Sequence, residues 1–133
     1  MKAAYSRLFT DESGEPRIED IEFDLSPGFA VPPAAPLHTA PFLPADGSTF
    51  WVGAPPNWNG RDPHPAPRRM IFVTVRGEYE VIVNAGVARC FPVRSVLVVE
   101  DTTGIGHTSR ISSADDCIIL AIGLPPTEDE STP

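Results

Sequence analysis

The sequence predicts an all-β domain, a sandwich or barrel of about seven to nine short strands, and three observations carry that expectation. Proline is abundant, 16 of 133 residues, and an internal proline removes a helical hydrogen bond and clashes with the preceding turn. The middle of the chain is a succession of apolar runs rich in Val, Ile and Phe, punctuated by Gly- and Asn-containing turns. No window of about ten residues before the chain ends shows helical periodicity.

Taken in order, "YSRLFTDESGEPRIEDIEFDL" predicts two strands around an Asp-Glu-Ser-Gly-Glu-Pro turn, with Ile18, Ile21 and Phe23 on the second. Residues 26–47 carry Pro27, Pro32, Pro33, Pro36, Pro41 and Pro44 and are too apolar for a solvated linker. They are expected to lie extended on the domain surface with Phe29, Leu37 and Phe42 anchored in grooves; a disordered Pro-rich stretch is the alternative. "STFWVGAPP" is a short strand ending in a turn, and "NWNGRDPHPAP" is a loop. The clearest strands follow: "RRMIFVTVRG", "EYEVIVNAG", "VARCFPV", "SVLVVED", "HTSRIS" and "DCIILAIGL". "IFVTV" is apolar at nearly every position, which suits a strand packed on both faces, against the interior and against a second layer or partner subunit. The expected organisation is a single domain over residues 1–124 and an acidic, flexible tail over 125–133.

Composition excludes several functions. A net charge of −8 and an isoelectric point near 4.7 disfavour nucleic acid and anionic membranes, which require clustered Lys and Arg; only Arg68 and Arg69 are adjacent. Cys90 and Cys117 match no metal spacing and sit in apolar stretches, so both are expected to be buried free thiols. No signal peptide and no membrane-spanning run is apparent, so a cytoplasmic, reduced location is expected.

The stretch "DPHPAPRRM" sets His64 among Pro63, Pro65 and Pro67, and "VEDTTGIGH" brings His107 after a Gly-rich turn. Together with Gly77 and Pro92, these positions resemble the two motifs of small single-domain cupins, and "HPAPRR" with "EDTTGIGH" is similar to a group of small bacterial and fungal cupins of unassigned role. The resemblance covers nearly the whole chain and implies a jelly-roll β-barrel with a small-molecule cavity at its mouth. It also marks departures. Ala66 stands where the family's second His falls, Met70 where its Glu falls, and Arg94 where a Gly falls. The resemblance implies His64 and His107 as metal ligands, for Fe, Mn, Ni or Zn, but two imidazoles fall short of the three protein ligands usual at catalytic metals. No cofactor is therefore the first expectation, with a divalent metal as the alternative.

The remaining candidates come from residue chemistry. Strand alternation places Arg68, Met70, Phe72 and Thr74 on the cavity face and Arg69 outside. An inward Arg68 requires a carboxylate, with Glu100, Asp101 and Asp62 as internal candidates, or an anionic ligand. Trp51, Trp58 and Tyr79, with Met70 and Phe72, are expected to shape a substrate pocket, Trp58 closing the mouth and Trp51 forming a wall. Each also has a plain structural alternative: core filling for Met70 and the aromatics, a satisfied hydrogen bond for His38. "EDTTGIG" is not a phosphate loop, because no helix follows it.

The functional expectation is a metal-independent cyclase, isomerase, dehydratase or decarboxylase of secondary or degradative metabolism. His64 and His107 would be the acid and base, Arg68 the anion holder, and an aromatic or anionic small molecule the substrate. The alternatives are a non-catalytic binding protein and, third, a metal-dependent oxygenase. A homodimer is expected.

Overall fold

A computed structural model describes residues 1–29, 32–84 and 86–127, without the side chain of Phe29. The turn residue Ala85 and the part of the expected acidic tail from residue 128 onward lie outside the described residues. The strands are β1 (Lys2–Thr10), β2 (Pro16–Asp24), β3 (Ser26–Phe29), β4 (Leu37–Thr39), β5 (Thr49–Ala54), β6 (Met70–Arg76), β7 (Glu78–Val83), β8 (Val87–Pro92), β9 (Val96–Val99), β10 (Thr108–Ile111) and β11 (Cys117–Gly123). No helix is long and apolar enough to cross a membrane.

Two sheets form the body, one in the order β2-β1-β9-β6-β11-β5 and one in the order β10-β7-β8. Segment 55–69 adds to the free edge of β10 through isolated bridges, Asn59 to Arg110 and His64 to His107. From β5 onward the chain therefore crosses between the sheets repeatedly: β5, the bridging segment, β6, then β7 and β8, then β9, β10 and β11. That interleaving, with non-sequential strands as neighbours in both sheets, is jelly-roll topology.

Alternation explains the layers. In β9, Leu97 and Val99 turn toward the small sheet, where they meet Tyr79, Val81 and Phe91, and Cys117 and Ile119 of the large sheet complete the main core. Val98 turns the other way and joins Ile71 and Leu124 in a second cluster under Leu43 of the Pro-rich segment. The apolar run in β6 is thus packed on both faces, Phe72 inward and Ile71 and Val73 outward, and the second layer is the chain's own Pro-rich stretch. Within that stretch β3 and β4 pair with each other. Phe42 meets Tyr5 edge-on, ring centroids 4.9 Å apart. Leu37, expected to be anchored, is exposed on β4, because a two-stranded ribbon has no second layer to receive it.

Two further expectations are corrected. Cys90 is exposed: on the edge strand β8 it alternates with the buried Phe91, and its thiol faces Glu80 Oε1 at 3.5 Å. Cys117 is buried as expected. Trp51 is 67% exposed, since on β5 it is its neighbour Val52 that turns inward.

Candidate functional site

A cavity of about 290 Å³ opens between the sheets, lined mostly by aliphatic and aromatic side chains from both. Val52, Phe72, Leu97, Val99 and Ile119 come from the large sheet; Tyr79, Val81, Ser109 and Ile111 come from the small one. Trp58, His64, Ala66 and Pro67 of the bridging segment close one side, with His107 beside them. Of the residues expected to shape a pocket, Trp58, Met70, Phe72 and Tyr79 line this cavity and Trp51 does not.

The proline run now has a structural reason. Between residues 63 and 67 only His64 and Ala66 carry a backbone N–H, and both are used. His64 N donates to His107 O at 3.0 Å and His107 N donates back to His64 O at 3.2 Å. Ala66 N donates to Asp101 O at 2.9 Å. The prolines hold the segment extended and leave no donor unsatisfied, so it can lie as a strap on the loop 100–107. Gly106 makes this possible: its φ is +77°, and a Cβ there would fall within the backbone of His64 and Pro65.

The two imidazoles sit with ring centroids 6.1 Å apart, but their surroundings differ. His64 is exposed and its Nδ1 donates to Pro65 O at 2.9 Å. The His107 side chain is 14% exposed, and its Nδ1 donates to Asp101 Oδ2 at 2.5 Å. Asp101 is wholly buried. With Asp101 as an acceptor, Nδ1 of His107 carries the proton, and in the neutral ring Nε2 is then the unprotonated nitrogen of a residue that lines the cavity. Deeper in the barrel, burial, reinforced by the neighbouring Cys117, pushes the Tyr79 phenol well above its ordinary value, with the Thr74 hydroxyl opposing. Burial likewise raises the Cys117 thiol. Both therefore remain neutral, and His107 is the group placed to move a proton.

Arg68 is not in the cavity. Residues 67 and 68 form a bend and β6 begins only at Met70, so strand alternation does not reach back to position 68. Its guanidinium instead pairs with Asp46, outside the barrel wall. The Ser48 hydroxyl and backbone N–H, together with Arg68, hold the Asp46 carboxyl below its usual range. None of the three carboxylates expected to partner Arg68 does so: Asp101 holds His107, and Glu100 takes Arg69 at 2.7 Å and Arg7 at 2.7 Å. Arg69 also donates to Pro125 O at 2.6 Å, tying down the chain after β11. His38 is exposed on β4 opposite Pro27, away from the cavity.

Asp101 was legible only as an arginine partner, and its role behind His107 went unseen. The signal was present in "EDTTGIGH": a carboxylate and a His separated by a loop with glycines at positive φ, Gly104 and Gly106, which folds the chain back on itself. Ser109 was equally legible, two residues after His107 on one strand face.

The donor set does not fit a resident metal. The four positions at which the sequence resemblance implies ligands hold His64, Ala66, Met70 and His107, and Ala66 offers the cavity only a methyl group. Among the described residues no three His, Cys, Asp or Glu side chains converge as a metal-binding group. Two imidazoles and a soft thioether are a poor set for Fe, Mn, Ni or Zn.

Strand order and the pocketed interior define the chain as a jelly-roll barrel. No family model and no curated protein matches it. Among solved structures it is similar to the Schizosaccharomyces pombe Cnp3 cupin domain, at 15% identity and a TM-score of 0.47, covering 93% of this chain and 84% of that one. It is also similar to the Drosophila melanogaster CENP-C cupin domain, at 12% identity and a TM-score of 0.46, covering 66% of each chain. A structure of Drosophila CENP-C bound to CAL1 matches at 12% identity and a TM-score of 0.45, over 58% of this chain and 61% of that one.

Proposed function

We propose that the chain is a metal-independent small-molecule enzyme that holds an apolar substrate in the barrel and moves a proton at His107, as an isomerase, cyclase, dehydratase or decarboxylase does. The observation that carries this reading is the buried Asp101–His107 pair at the edge of an otherwise apolar cavity. Asp101 fixes the ring and its tautomer and would stabilise the imidazolium once the proton is taken, as the carboxylate does in other carboxylate–imidazole pairs. The mostly apolar walls strengthen that electrostatic effect. His64 is the second proton carrier, open to solvent at the strap. Arg68 has no part in this mechanism.

The test uses 5-nitrobenzisoxazole, a neutral aromatic whose ring opens when a base removes its C3 proton: the C–H pair forms the nitrile as the N–O bond breaks, releasing a coloured phenolate. The protein is expected to accelerate the opening, with His107→Ala lowering kcat/KM by about 10²–10⁴-fold, the contribution of a placed general base. Equal rates for the two proteins would remove His107 from the chemistry.

A non-catalytic binding role is the second reading. The observation that favours it is the loss of Arg68 to Asp46, which leaves no Arg or Lys among the described cavity residues to hold developing negative charge. It predicts ligands that raise the melting temperature without being converted.

A further inference from the structure

Among the described residues, the cavity lining contains no Lys, Arg, Asp or Glu. Apart from the imidazoles of His64 and His107, no described lining residue could offset the desolvation cost of a carboxylate or phosphate. Such a lining favours a neutral ligand, in contrast to the anionic substrate that an inward Arg68 would have served.

What polar recognition the cavity has lies beside His107. Ile111 packs against the main core, while Arg110 points outward to Glu80 at 2.6 Å. Alternation from these two puts Ser109 on the cavity face, and Ser109 lines the cavity with His107 and Ile111. The Ser109 carbonyl is occupied, accepting from Gly60 N at 2.8 Å. Its hydroxyl makes no hydrogen bond to any described residue. Two residues along one strand are about 6.6–6.8 Å apart. An α-carbon and its carbonyl oxygen are about 2.4 Å apart, and a reacting contact at each end adds roughly 3 Å. Placed end to end these lengths come to about 8.4 Å, more than the strand interval, so both contacts require the substrate to bridge the two side chains at an angle rather than in line.

We propose that the substrate is a neutral carbonyl compound with an α C–H, its oxygen accepting from Ser109 Oγ while His107 Nε2 takes the α proton. This rests on the proton-transfer reading of His107. The C–H electron pair becomes the C=C bond of an enolate, and the carbonyl π pair moves onto the oxygen under the Ser109 hydrogen bond. The His107 imidazolium then returns its proton to carbon, at the same position or at a conjugated one. No oxidant, metal or second substrate is consumed.

The probe is 1-tetralone in deuterated water, with loss of the α-proton signal followed by NMR. Wild-type protein is expected to catalyse saturable exchange. Ser109→Ala is expected to lower kcat by about 10–10³-fold with KM changed far less, the pattern for losing one donor aimed at a developing oxyanion. Ser109→Thr, which keeps the hydroxyl on a β-favouring residue, is expected to recover most of that rate. The anion 1-naphthoate is expected not to compete. If Ser109→Ala exchanges as fast as wild type while His107→Ala does not, this inference falls and the base reading stands. If both variants keep the wild-type rate, both fall. Inhibition by 1-naphthoate, or no exchange above buffer with wild-type protein, overturns the neutral-carbonyl assignment.

Discussion

Replacing Gly106 by Ala tests the strap on which the site is built. Two costs are expected. A non-glycine residue at φ +77° carries a left-handed backbone penalty of about 1–2 kcal/mol. The new methyl would also overlap the His64 carbonyl and Pro65 nitrogen, so the strap has to lift and the reciprocal pair of His64–His107 backbone bonds is lost, at about 1 kcal/mol each. The sum is roughly 3–4 kcal/mol, a large fraction of the ~5–15 kcal/mol typical of a domain. Gly47 is the internal control: its φ is +91° and a Cβ there meets nothing within 4 Å, so Gly47→Ala pays only the backbone term. Urea unfolding of both variants isolates the strap contribution as their difference, about 2 kcal/mol, and Gly106→Ala should also slow the nitrobenzisoxazole reaction as His64 and His107 are displaced. Equal stability loss in the two variants would refute the claim that Gly106 is required for close approach.

Asp101→Asn removes the carboxylate that selects the Nδ1–H tautomer of His107; kcat/KM for 5-nitrobenzisoxazole should fall by about 10²–10⁴-fold, and retention of wild-type activity would contradict the pairing. Arg68→Ala should leave that activity within about twofold, because its guanidinium is held by Asp46 outside the cavity; a tenfold loss would restore Arg68 to the site. Desolvation, then the neighbouring Glu80 and Glu78, pushes the exposed Cys90 thiol up to about 11. The thiolate is the reactive form, so iodoacetamide labelling followed by mass spectrometry should be about a hundredfold slower at pH 8 than for a thiol at 9.0, still rising tenfold per pH unit at pH 10. A plateau by pH 9 would show that the carboxylates do not act on it.

The strands were legible wherever alternation ran unbroken. The runs expected as strands at β7, β9 and β11 are strands, burial alternates along β7 and β11, and the apolar β6 is packed on both faces by the chain itself. His64 and His107 were found by motif position and do share one cavity. Errors arose where alternation was carried through a break or not applied at all. Arg68 was assigned inward by counting back from Met70 across a bend, and its true partner Asp46 lies across the fold, out of reach of any local rule. Cys90 was judged by the apolarity of its stretch, although Phe91 already claimed the inward position. The Asp101–His107 contact depends on how two left-handed glycines turn the loop, and only the folded backbone shows where such a loop returns.

The central claim is that His107 presents a bare Nε2 to the cavity because buried Asp101 holds Nδ1–H. Nitrogen-15 NMR of imidazole-labelled protein, at a pH where the His107 ring is neutral, reads this directly. A protonated Nδ1 and an unprotonated Nε2 are expected, with the Nε2 signal shifting when 1-tetralone is added. A protonated Nε2, or an Nε2 signal indifferent to saturating ketone, would contradict it.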